Sequence, residues 1–153
     1  MAGIAEHRRA GVFGKRGLQT AVAVLACIPV LAGAMGVIEG PAFLKDTLPW
    51  PADLDSHVRF LSGLFLAVGL AWWSTIPSIE RKGDRFRLLA LLIVAGGLAR
   101  LVSLFHAGLP SAGHIAGLGM ELVVVPLLVG WQASVARSAA AGAPPVELVS
   151  WRA

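Results

Sequence analysis

LLALLIVAGGLARLVSLF, residues 88–105, decides how this chain folds. The stretch holds one charge, Arg100, among residues that are otherwise apolar, glycine or serine. Its length approaches the ~20 residues that cross a hydrocarbon core of about 30 Å. Backbone groups in lipid must be satisfied within the segment, so such a run is a helix. Three further segments read the same way: Leu18–Ile38, Val58–Ile76 and Ile115–Val135. The whole chain is 56% hydrophobic and 14% charged, with a mean hydropathy of +0.74. Soluble domains carry roughly a quarter of charged residues, and a core built from 153 residues cannot hide this much apolar surface. The expected fold is all-α: an integral-membrane four-helix bundle forming one domain over residues 1–136. A loose tail, RSAAAGAPPVELVSWRA, follows at 137–153.

Orientation follows from the basic residues. Arg8, Arg9, Lys15 and Arg16 precede the first segment. Arg81, Lys82, Arg85 and Arg87 sit in ERKGDRFR between the second and third, and Arg137 and Arg152 follow the fourth. If all four segments span, these regions share one side, and the positive-inside rule puts both termini in the cytoplasm of a bacterial inner membrane. The opposite side holds EGPAFLKDTLPWPADLDSH and HAGLPSAGH, with a single lysine, Lys45. The clustering makes the net charge of +4 a report on topology rather than on a nucleic-acid partner. A basic start, an apolar run and AGA at 32–34 also resemble a signal peptide, but the run exceeds a signal core and reads as a retained helix. Pro29 and Pro126 should kink the first and fourth helices, and Pro77 should end the second. Trp50, Trp72, Trp73 and Trp131 fall near helix ends or in the outer loop, as interfacial tryptophans do. The outer loop, Glu39–Ser56, reads either as an ordered lid on the membrane surface or as a plain linker. The lone Cys27 allows no intrachain disulfide and no cysteine metal site. No phosphate-binding loop, zinc spacing or acyl-transfer motif is present.

The polar residues inside the segments point to a site. Arg100 lies seven residues before the outer end of helix three, and Glu121 seven residues after His114 near the outer start of helix four. At 1.5 Å per residue both lie roughly 10 Å below the outer surface, on helices joined by a short loop. An unpaired charge at that depth costs at least ~2 kcal/mol, so the two are expected to pair. Small or polar stripes recur at helical spacing: His114, Gly117 and Glu121; Gly96, Gly97, Arg100 and Ser103; Arg59, Ser62, Gly63 and Gly69; and Gly36 with Glu39. Turned inward, they make a polar nest of Glu39, His57, Arg59, Ser62, Arg100, Ser103, His114 and Glu121, with His106 nearby. In one interpretation Arg100–Glu121 and Arg59–Glu39 are structural ion pairs. In the other they line a pocket for a small molecule or a lipid headgroup.

DSHVRFLSGLFLAVGL (55–70), GGLARLVSLFHAGLP (96–110) and MELVVVPLL (120–128) carry a family likeness. Together they resemble an uncharacterised bacterial family of small four-helix inner-membrane proteins, classed as a domain of unknown function. The matching positions are Arg59, Gly63, Gly96, Gly97, Arg100, Gly108, Pro110 and Glu121, within about residues 18–132. The resemblance implies the four-helix topology and no activity. The layout is distantly similar to small membrane families of the DoxX type. It is more loosely similar to membrane-embedded epoxide isomerases, whose haem is held by a histidine near the start of helix two; His57 would stand there. The expectation is a binding or accessory subunit of a membrane complex, or a homo-oligomer, taking a lipid or small apolar ligand in the outer half and needing no cofactor. The alternative is a membrane-embedded, isomerase-like enzyme for a small apolar substrate. It would use Arg100, Glu121 and Arg59 catalytically, with haem b on His57. An ion pathway is disfavoured, because the inner half of every segment is apolar.

Overall fold

The computed structural model describes the backbone of residues 2–44 and 49–142, with side chains from residue 14 onward. It is all-helical. The order is α1 (Ala2–Leu25), α2 (Cys27–Glu39), a 3-10 turn (Gly40–Leu44), α3 (Ala52–Trp73), α4 (Gly83–Ala107), α5 (Ala112–Gly119), a π turn (Met120–Val124) and α6 (Val125–Ala141). Four stretches are long and apolar enough to cross a membrane: Gly14–Leu44, Ala52–Ser78, Gly83–Ala107 and Ala112–Ala141. All outrun the apolar segments read from sequence, because a helix continues into polar flanks wherever nothing breaks it. α6 accordingly runs past Arg137 to Ala141, and the remainder of the expected tail lies outside the described residues.

Both prolines act on the backbone as their chemistry requires. Pro29 has no N–H to offer the carbonyl of Leu25, and the first stretch breaks at Ala26 between α1 and α2. The indole of Trp73 donates to the nearby Ala23 carbonyl at 3.0 Å. Pro126 cannot bond the carbonyl of Leu122, and its ring crowds it. The preceding turn widens instead, and Val125 N–H reaches back five residues to Met120. The bend expected at Pro126 thus takes the form of a π turn, and Glu121 sits in it.

Packing is uneven along the bundle. The end that carries α1's basic start, the α3–α4 connection and the end of α6 is here called proximal. There Leu18, Val22, Ile79, Phe86 and Val135 form a closed core, with Trp72 and Phe86 rings 5.4 Å apart. Two amides complete it, one half-buried and one buried: Gln19 donates to the Ile76 carbonyl at 2.7 Å and Gln132 to that of Ile79 at 2.9 Å. These two bonds satisfy carbonyls of the α3–α4 connection that no helix can satisfy. Toward the distal end the helices separate into pairs. α2 lies tightly along α3, and α4 lies against the π turn and α6, while α2 and α3 do not pack closely on α5 or α6.

One ion pair ties the proximal end together. Lys15 Nζ lies 3.0 Å from Glu80 Oε2, close enough for Coulombic attraction though poorly aligned for a hydrogen bond. Partial burial pushes the Glu80 carboxyl up. A bond from its own backbone N–H and the charges of Lys15 and Arg81 outweigh this and hold it below 4.5, its ordinary value. A carboxylate held low contributes stability that is present above its ordinary pKa and lost as pH falls through the lowered one. The thermal midpoint should therefore drop as pH falls below 4.5, with a shallower drop in Glu80→Gln. Equal slopes for the two proteins would remove the pair from the account.

Candidate functional site

The splayed distal half forms an open-mouthed cavity of about 720 Å³ between the two helix pairs. Its floor is buried: Pro29 from α2, Trp72 from α3, and Glu121, Val125 and Leu128 from the fourth stretch. Its rim is exposed, with Ile28, Leu44 and Leu61. Phe43 and Leu44, from the 3-10 turn, line it as well. Part of the loop expected either to lid the bundle or merely to link it is therefore an ordered wall, while Lys45–Leu48 lie outside the described residues. The volume falls within the ~300–1,000 Å³ usual for pockets that take small organic ligands.

One polar group dominates this apolar wall. Arg100 Nε donates to Glu121 Oε2 at 3.1 Å, and Arg100 Nη2 donates to Glu121 Oε1 at 3.2 Å. The contact is a two-point fork between guanidinium and carboxylate. The partners differ in exposure: 34% of the Arg100 side chain is accessible against 11% of Glu121. Gly97 makes the approach possible, since a Cβ there would lie 2.8 Å from Glu121 Cβ and 2.9 Å from Leu122 Cδ2. Gly96 and Gly117 line the cavity instead, and a Cβ on either would meet nothing within 4 Å. His114 and Ser62 complete the polar lining. His114 Nδ1 lies 2.9 Å from the Ser111 hydroxyl.

Of the residues expected to share a nest, Ser62, Arg100, His114 and Glu121 meet at this cavity. Glu39, His57, Arg59 and Ser103 are not part of its lining, nor is His106. Arg59 has a different task. Its guanidinium bonds Asp55 at 2.8 and 3.1 Å and donates to the carbonyls of Val37 and Ile38. It thus caps the C-terminus of α2 from α3, where helix carbonyls lack intrahelical donors. Its ion pair is with Asp55 rather than with Glu39 as expected, and Glu39 is exposed. Gly40 sits under this cap at φ 62°, and a Cβ there would fall 2.6 Å from Asp55 Oδ1. His57, Ser103 and His106 are exposed on the distal turns of α3 and α4. No group of three or more His, Cys, Asp or Glu residues that could hold a metal ion occurs among the described residues.

Some contributors were missed in the sequence. Asp55 stands one helical turn before Arg59, at the spacing of a helix ion pair, and that spacing was the available signal. Trp72 was read as an interfacial residue and is a buried part of the cavity floor. The π turn has no sequence signal beyond Pro126 itself.

The model of a family described as a domain of unknown function, DUF4345, matches residues 17–132, and the chain belongs to that family. No curated protein and no solved structure matches it.

Proposed function

We propose, with membership of that family as the premise, that the protein is a small multi-pass binding protein of a bacterial inner membrane. Both termini face the cytoplasm, and a lipid or small lipophilic molecule occupies the distal cavity. The observation that carries this reading is the cavity itself: about 720 Å³, walled by apolar side chains and marked by one neutral ion pair. The proximal half closes around its core while the distal half leaves this space open, which is room for a guest. The basic residues around the termini and in the α3–α4 connection support the orientation. The short chain and its glycine-rich helix faces suit an accessory subunit of a larger assembly or a homo-oligomer.

The test uses the open space beside Gly117. Leucine there should fill the cavity without striking the backbone, since a Cβ at 117 meets nothing within 4 Å. Purified wild-type protein in detergent should bind the uncharged fluorescent lipophile N-phenyl-1-naphthylamine saturably. Gly117→Leu and Gly96→Leu should each weaken that binding about tenfold or more, a loss of about 1.4 kcal/mol, with thermal midpoints not lowered. Equal binding by all three proteins would contradict the proposal.

A second reading rests on Glu121, a buried carboxylate on the wall of an apolar cavity beside a guanidinium. That combination suits acid–base chemistry on a small apolar substrate. It requires turnover that disappears in Glu121→Gln while lipophile binding persists.

A further inference from the structure

We infer that the cavity selects an uncharged lipophile carrying a hydrogen-bond acceptor, such as a ketone, ester or quinone carbonyl. The inference rests on the binding reading above and narrows it to a chemical class.

The first ground is charge. Arg100 and Glu121 neutralise each other through two bonds, so the pair offers no net charge to balance an ionic headgroup. A carboxylate or phosphate entering this apolar space would lose its hydration without gaining a counter-ion. The second ground is the direction of the unused hydrogen-bonding capacity. Glu121 consumes Nε and one proton of Nη2. Among the described residues Arg100 Nη1 has no hydrogen-bond partner, and two N–H groups remain on it. The guanidinium is the more exposed member of the pair, and the carboxylate is the buried one. Both partners line the cavity, and the more exposed of the two is the one with N–H donors to spare. The third ground is His114, on the same wall. When its Nδ1 accepts the Ser111 hydroxyl proton, its N–H stands on Nε2, a second donor. The remaining lining is overwhelmingly aliphatic and aromatic, which suits a hydrocarbon body behind the acceptor.

Three probes of one chain length separate the possibilities: 2-undecanone, undecane and undecanoate at a pH where the acid is ionised. Each is titrated against N-phenyl-1-naphthylamine bound to the purified protein. The ketone should displace the dye at about tenfold lower concentration than the alkane, the advantage expected of a hydrogen bond to a charged donor. Undecanoate should do no better than the alkane. In Arg100→Leu/Glu121→Leu the advantage of the ketone should fall to less than about threefold while the dye still binds. The wild-type series decides the case even if that variant does not fold. Equal displacement by ketone and alkane would overturn the inference and leave the binding reading standing. Tightest binding by undecanoate would overturn it in favour of an anion site. Failure of the dye and all three probes to bind would overturn both.

Discussion

Arg100→Ala and Glu121→Ala should each lower stability by about 2–4 kcal/mol, and Arg100→Leu/Glu121→Leu should recover most of that loss. Either single change leaves one charge in an apolar wall with its partner removed. Breaking a buried pair in that way costs ~3–5 kcal/mol, and a lone charge within a membrane span costs at least ~2 kcal/mol. The lower part of the range applies here because a third of the Arg100 side chain is accessible. The double leucine variant leaves no charge behind and offers apolar side chains of similar reach, a replacement that is often neutral or better. Reversible unfolding in mixed micelles gives the three values. If both single variants unfold with the wild type, the fork between α4 and the π turn contributes nothing to the fold.

Gly33→Ala should be the most damaging single methyl in the α2–α3 pair. A Cβ at 33 would lie 2.5 Å from the backbone nitrogen of Leu66 and 2.8 Å from its Cα. Backbone cannot rotate aside as a side chain can, so the two helices must separate. Overpacking of this kind costs typically 1–3 kcal/mol, and here it acts on the most extensive helix pairing among the described residues. Gly130→Ala is the matched control. Nothing lies within 4 Å of its Cβ position in α6. Alanine there should raise stability by up to ~1 kcal/mol through helix propensity alone. Opposite signs for the two variants in the same unfolding assay are the expected result. A neutral Gly33→Ala would mean that α2 and α3 are not in close contact.

The four stretches long enough to span were legible because length and apolarity suffice to define such a segment. The meeting of Arg100 with Glu121 was legible for a geometric reason. Arg100 stands seven residues before the end of α4 and Glu121 nine residues after the start of α5, on either side of one short turn, so the two reach similar depth. Arg59 shows where such reasoning stops. A shared polar nest with Glu39 suggested one partner, whereas Asp55, one turn back on the same helix, competes at far lower entropic cost. The two carbonyls at the end of α2 then fix the guanidinium in place. The cavity had no signature at all. It arises because α2 and α3 do not pack closely on α5 and α6, and the pattern of any one segment does not report a gap between two others. Gln19 and Gln132 could have been noticed as amides in apolar surroundings, but their acceptors, Ile76 and Ile79, lie more than fifty positions away.

The proposed function requires that the distal cavity hold a lipophilic guest. The direct measurement is organic extraction of protein purified in mild detergent, followed by mass spectrometry, with the wild type and Gly117→Leu prepared side by side. A molecule should be recovered in near-stoichiometric amount from the wild type and be depleted in Gly117→Leu, while bulk phospholipid is recovered equally from both. Identical extracts from the two proteins would contradict it.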